Sequence, residues 1–76
     1  MARTEAHIRK DIDKTRAELS ILNNYVETYE ILTDNNQFSN QSMADKNLAQ
    51  VLKVIDFKEH KLNGYRSELH DYKKSH

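Results

Sequence analysis

Apolar side chains recur at alternating spacings of four and three along the first part of the chain. The repeating positions are Ile8, Ile12, Thr15, Leu19, Leu22, Val26 and Tyr29. This spacing places one side chain per turn on the same face, as in a helix packed along its length. The pattern predicts a helix over about 4–32, with Thr4 as N-cap and Glu5 near the positive end of the helix dipole.

A polar stretch rich in Asn and Gln follows over 33–42 and predicts a loop, because Asn tolerates left-handed backbone conformations. Ser42 and Asp45 then resemble a capping box, which predicts a second helix over about 43–73. This helix repeats the spacing at Ala44, Leu48, Val51, Ile55, Lys58, Leu62, Tyr65, Leu69 and Tyr72. We call the two sets of repeating positions the seam.

The two halves of the seam match when the helices lie antiparallel, so that Ile8 is opposite Leu69 and Val26 is opposite Val51. The predicted fold is therefore all-α: one domain over 1–76, an antiparallel, coiled-coil-like two-helix hairpin. We expect the seam to be packed less well in the half away from the loop. Leu62 faces the polar Thr15 there, and Leu19 faces Lys58, whose stem can pack only if its ammonium group reaches water at the side.

A single Gly lies inside the second helix, where it costs about 1 kcal/mol relative to Ala. A break at Asn63 and Gly64 into a short third helix is the alternative. The continuous helix is preferred because the seam keeps its spacing through Gly64.

A second group of apolar residues lies beside the seam on one side of the hairpin. Its members are Ile21, Tyr25 and Leu32 of the first helix and Val54 and Phe57 of the second. A two-helix hairpin cannot bury them, and an exposed apolar surface edged by charges is typical of a protein-binding site. Self-association into a homodimer, a four-helix bundle, is the first expectation, and a different protein partner is the second. Alternatively, these are core residues of a single compact bundle.

Phe38 is an isolated aromatic residue in the polar loop. It could insert into a pocket of a partner, since aromatic loop residues are common binding hot spots. Folding back over the end of the hairpin near Leu32 and Met43 is the preferred interpretation.

Composition narrows the class of function. Twelve basic and twelve acidic residues give no net charge to attract nucleic acid or an anionic membrane. With no Cys and no apolar leader or membrane-spanning run, we expect a cytoplasmic protein and no membrane partner. The many Asn, Lys, Ile and Tyr residues favour an AT-rich source, bacterial or phage.

A nucleic-acid-binding regulatory hairpin is the alternative function, and its residues would be Arg9, Lys10, Lys14 and Arg16. They spread over several helix faces and alternate with Asp11, Asp13 and Glu18, so they form no stripe that could follow a phosphate backbone. We therefore expect nucleic acid not to be the partner.

A metal site or a small helical phosphatase would have to use His7, Asp11, Glu68 or His70. The layout is similar to that of small antiparallel hairpin phosphatases with a Ser-Gln-Glu-Leu-Asp motif late in the second helix. The corresponding stretch, 66–70, keeps Glu68 and Leu69 but has His70 in place of the Asp. No function is carried over, and no catalytic residue, metal or cofactor is expected. The sequence thus predicts a non-enzymatic adaptor, chaperone or regulator that acts through Ile21, Tyr25, Leu32, Phe38, Val54 and Phe57.

Overall fold

A computed structural model describes residues 3–75 as two long helices that pack side by side. α1 spans Glu5–Asp34 and α2 spans Gln41–Ser75, and the described residues contain no strand. The rod measures 55 × 15 × 15 Å. Helices of 30 and 35 residues extend about 50 Å at roughly 1.5 Å per residue. The rod is therefore as long as one helix and as wide as two. The predicted all-α hairpin is confirmed.

α1 begins at the predicted cap and ends slightly beyond its predicted boundary. The Thr4 side chain accepts a hydrogen bond from the His7 backbone N–H at 3.3 Å. At the other end Asn36 adopts a left-handed conformation with φ of 56°. Asn36 N–H donates to the Thr33 carbonyl and Gln37 N–H to the Leu32 carbonyl. This is a Schellman motif with Asn at the left-handed position, and it ends α1 two residues beyond the predicted boundary.

α2 begins earlier than predicted, and the capping box at Ser42 and Asp45 is wrong. The Asn40 side chain accepts the Met43 backbone N–H at 3.0 Å and so caps the first turn. Asp45 instead accepts hydrogen bonds from Tyr29 and Gln41. One of these partners, Tyr29, is on the other helix, which local sequence reasoning does not include.

The seam forms the core. Its buried members are Ile8, Ile12, Thr15, Leu19, Ala44, Ile55 and Leu62, and the half-buried Leu22, Val26, Val51, Tyr65, Leu69 and Tyr72 pack around them. On α1 the seam is buried from Ile8 to Leu19 and only half-buried from Leu22 to Tyr29. The expectation that the seam is weakest away from the loop is therefore wrong for α1.

The two polar side chains of this part of the seam do not disrupt it. Thr15 is only 7% exposed. The aliphatic part of Lys58 packs in the seam, and its ammonium group forms an ion pair at the side with Glu18, 2.5 Å away. The charge of Lys58 therefore has a partner outside the apolar contact.

α2 continues through Asn63 and Gly64 without a break, so the continuous helix is confirmed and the short third helix is wrong. Neither helix has a segment long and apolar enough to cross a membrane over the described residues.

Gly64 offers a direct test of the helix interior. A Cβ at this position meets nothing within 4 Å. Gly64→Ala should therefore stabilise the fold by about 0.5–1 kcal/mol, because Ala has less conformational entropy than Gly in the unfolded chain and so loses less on folding. Thermal unfolding at fixed protein concentration measures this as a higher Tm. The reverse change at an exposed α1 position, Ala17→Gly, should lower Tm by a similar amount. A lower Tm for Gly64→Ala would mean that α2 bends at this residue.

Candidate protein-interaction surface

One side of the rod carries a stripe of residues from each helix, offset from the seam. The α1 stripe is Asp11, Lys14, Glu18, Ile21, Tyr25, Thr28 and Leu32, and the α2 stripe is Met43, Asn47, Gln50, Val54, Phe57, Lys61, Gly64 and Glu68. Each follows the three-and-four spacing, so its members share a helix face. We call the two stripes together the flank.

Contacts between the helices place both stripes on the same side. A surface groove is lined by Tyr25 of α1 together with Met43 and Asn47 of α2. Further along, the Lys61 ammonium lies 5.0 Å from the centre of the Phe57 ring, and Lys61 is close enough to Glu18 to help lower its pKa. The flank is therefore one continuous surface.

The predicted interaction residues on the flank are largely exposed. Ile21 is 70% and Phe57 is 59% exposed, and Tyr25 and Val54 are exposed as well. Leu32 is half-buried. Because the seam is filled without them, these side chains are left with water as their neighbour on one side. The alternative, in which they form the core of a single compact bundle, is wrong for the isolated chain.

Met43 belongs to this surface, and sequence reasoning missed it. It is 56% exposed and lines the groove beside Tyr25. Counting back from Val54 in steps of four and three reaches Met43, so the signal was present in the sequence. The apolar part of the flank therefore extends to the loop.

Two other exposed apolar residues lie off the flank. Ile31 and Leu52 are both substantially exposed, but their positions in the helical repeat place them on the outer face of α1 and on the opposite side of α2, respectively. They are isolated, which is normal for a protein surface.

Phe38 folds back onto the end of the hairpin. Its ring centre lies 5.5 Å from that of Tyr29, with the planes tilted by 36°, and it shares the groove with Met43. Such a pair contributes about 0.5–1.5 kcal/mol. The preferred fold-back is confirmed, with Tyr29 as the aromatic partner in addition to Met43.

A polar network closes the loop end. The Tyr29 hydroxyl donates to the Asp45 carboxylate, and the Gln41 amide donates to the same carboxylate at 2.8 Å and to the Thr33 hydroxyl at 3.1 Å. The hydrogen bond from Tyr29 is the main cause that lowers the pKa of Asp45, and it raises the pKa of Tyr29. The network ties α1 to α2 where the seam is only half-buried.

An ionic cluster closes the open end. The Arg3 guanidinium donates to Glu68 at 2.7 and 2.9 Å and also to Asp11, and it lies 5.2 Å from the centre of the Tyr65 ring. The hydrogen bonds that Arg3 donates to Glu68 and Asp11 raise the pKa of Arg3. Sequence reasoning missed this cluster because Arg3 and Glu68 are at opposite ends of the chain.

The cluster bears on the metal and phosphatase alternatives. Asp11 and Glu68 both bind Arg3, which offsets one of their two negative charges, while His7 and His70 are exposed. No group of three or more His, Asp or Glu residues in 3–75 could hold a metal ion.

The basic residues of the nucleic-acid alternative do not converge. Arg9 forms an ion pair with Glu5 at 2.9 Å, and Lys10, Lys14 and Arg16 are exposed. Their positions in the repeat place Lys14 on the flank and Lys10 on the outer face, with Arg16 on the opposite side.

Comparison of the chain with models of protein families, with curated proteins and with solved structures finds no match. Function is therefore inferred from the surface itself.

The Glu18–Lys58 pair predicts a specific response to acid. The hydrogen bond from Lys58 is the main cause that lowers the pKa of Glu18, with further contributions from Lys14 and Lys61. A carboxylate with a lowered folded-state pKa stabilises the fold above its unfolded pKa, and this stabilisation is lost as pH falls through the folded pKa. In Lys58→Met the drop in Tm between pH 7 and about pH 3 should be smaller than in the wild type.

Lys53→Met is the matched control. Lys53 lies on the outer face of α2, and this substitution removes the same charge as Lys58→Met. Circular dichroism melts at both pH values measure the difference. An equal acid-induced drop in all three proteins would show that the pair contributes nothing to stability.

The fold-back of Phe38 has its own test. Phe38→Ala removes the ring contact with Tyr29 and should lower stability by about 1 kcal/mol, whereas Gln37→Ala in the same loop should change little because its role is a backbone hydrogen bond. Urea unfolding gives both values. A Phe38→Ala protein as stable as the wild type would indicate that Phe38 is a free contact residue.

Proposed function

We propose that the chain is a non-enzymatic protein-interaction module that self-associates through the flank and, as a dimer, binds a protein target. The observation that carries this proposal is the exposed row Ile21, Tyr25, Val54 and Phe57 beside an already filled seam. Fully burying one such side chain contributes about 1.5–3 kcal/mol, so a partner that covers the row gains a substantial free energy.

The burial of α1 supports a helical partner at this place. The seam changes from buried to half-buried between Leu19 and Leu22, which is where the apolar part of the flank begins at Ile21. Further helices packed there would complete the burial of both sets of residues. A second hairpin supplies two such helices and gives a four-helix bundle.

A second copy is favoured as the first partner because the apolar part of the flank, from Ile21 to the loop, is bordered by charged side chains on the side of the open end. Lys61 covers the Phe57 ring, and Glu18 lies one turn from Ile21. Apolar centres with a polar rim are typical of protein interfaces. The same patch on two copies satisfies the requirement of a closed dimer for self-complementarity.

The target would then bind at the loop end, next to the covered flank. Tyr25, Met43 and Asn47 in the groove there belong to the flank, and Phe38, Ser39 and Asn40 line its loop side. An aromatic side chain such as Phe38 on that side fits an apolar contact with a protein partner. In this arrangement the hairpin would act as an adaptor, chaperone or regulator by covering a helix or a groove of the target protein.

Charge substitutions on the flank test self-association. Tyr25→Glu combined with Phe57→Glu should raise the dissociation constant of the dimer at least tenfold, because about 1.4 kcal/mol corresponds to a factor of ten and two apolar contacts are lost per chain. Helicity should be retained, since neither residue belongs to the seam. Sedimentation equilibrium over a dilution series measures the constant.

The matched control is Ile31→Glu combined with Leu52→Glu. It adds the same charge at two exposed apolar positions off the flank, so it should leave the dissociation constant unchanged. Equal weakening by both pairs would mean that added charge, and not the flank, decides association. No weakening by either would place the interface elsewhere.

A further inference from the structure

The flank changes character along the rod. Three contacts between the helices show which residues of α1 and α2 lie at the same height along the rod. Arg3–Glu68 is at the open end, Glu18–Lys58 is near the middle and Thr33–Gln41 is at the loop end. The charged members Asp11, Lys14, Glu18, Lys61 and Glu68 lie from the open end to the middle. The apolar members lie from the middle to the loop, together with the uncharged polar residues Thr28, Asn47 and Gln50; they are Ile21, Tyr25, Leu32, Met43, Val54 and Phe57.

Two copies can pair the same flank about a two-fold axis in two ways. In an antiparallel pair the loops point in opposite directions, so the loop half of one copy covers the open half of the other. Leu32 and Met43 would then lie against Lys14, Lys61 or Glu68 of the second copy. Charged groups would lose water without gaining a partner, which is unfavourable.

In a parallel pair the axis runs along the rod and both loops lie at the same end. Each α1 then faces the α2 of the other copy, and residues at a given height along the rod face residues at the same height in the second copy. Ile21 lies opposite Phe57 of the second copy, and Tyr25 lies opposite Val54. Apolar side chains therefore meet only apolar side chains near the middle.

The charges favour the same arrangement. Glu18 and Lys61 are neighbours within one chain. The two-fold axis brings Glu18 opposite Lys61 of the second copy, and Lys61 opposite Glu18 of the second copy. Four charges of alternating sign then surround the axis, which favours this pairing over like-charge contacts. At the open end Arg3 is shared by Asp11 and Glu68, so it offsets one of their two negative charges and each copy keeps one net negative charge there. These groups are partly exposed and screened by water and salt, so their repulsion between copies is weak.

We infer that the hairpin forms a parallel dimer in which both loops lie at the same end of a four-helix bundle. This inference rests on the proposed self-association through the flank. It adds the direction of the second copy and places the two Phe38 loops side by side.

Distances between spin labels test the direction. The chain has no Cys, so Ser39→Cys at the loop and Lys74→Cys near the end of α2 each provide one exposed labelling site. In the parallel dimer both sites should give distances between copies under about 30 Å, since helices are about 10–12 Å in diameter. In an antiparallel dimer with full overlap both should approach the 55 Å length of the rod.

Using two sites also covers a staggered antiparallel dimer, which would bring the loops closer together but separate the α2 ends further. Circular dichroism confirms that each labelled protein is folded. Dilution with unlabelled chain, and the Tyr25→Glu, Phe57→Glu background, should both reduce the dipolar signal.

Short distances at both sites support the parallel dimer. A distance near or above the rod length at either site overturns the direction while leaving self-association standing. A monomer at all concentrations, with no distance between copies, overturns the proposed self-association and the direction together.

Discussion

The structure depends on a seam that is one row of side chains wide. Each helix has a single neighbour, so only the residues facing that neighbour are buried, and Ile8, at 1% exposure, is the most completely enclosed. A third or fourth helix would normally bury the adjacent positions as well. In a rod 15 Å thick those positions remain at the surface, and this geometric constraint produces the exposed flank.

The polar contacts at the two ends complement that narrow core. Arg3 joins the N-terminal end of α1 to α2 through Glu68, and Tyr29 and Gln41 join the helices beside the loop through Asp45. These groups are partly exposed, so each pair contributes modestly to stability. Their position matters more, because they hold the two helices in register at both ends of the rod.

Periodicity alone predicted which residues face each other in the core, because a helix with one neighbour has a simple repeat. It also identified Ile21, Tyr25, Val54 and Phe57 as residues that the hairpin leaves exposed. It failed at Asp45, whose partners come from α1 and from the first turn of α2, so that Asn40 caps α2 in place of Ser42. It also missed the Arg3 cluster, which depends on three-dimensional proximity across the whole chain.

A flank covered by a second copy of the chain makes the mass in solution depend on protein concentration. Sedimentation equilibrium of the wild-type protein over a dilution series from high to low micromolar concentration measures this mass. We expect twice the 9.0 kDa of one chain, falling toward 9.0 kDa only on dilution. A strongly helical protein with a mass of 9.0 kDa at every concentration would show that no second copy covers the flank.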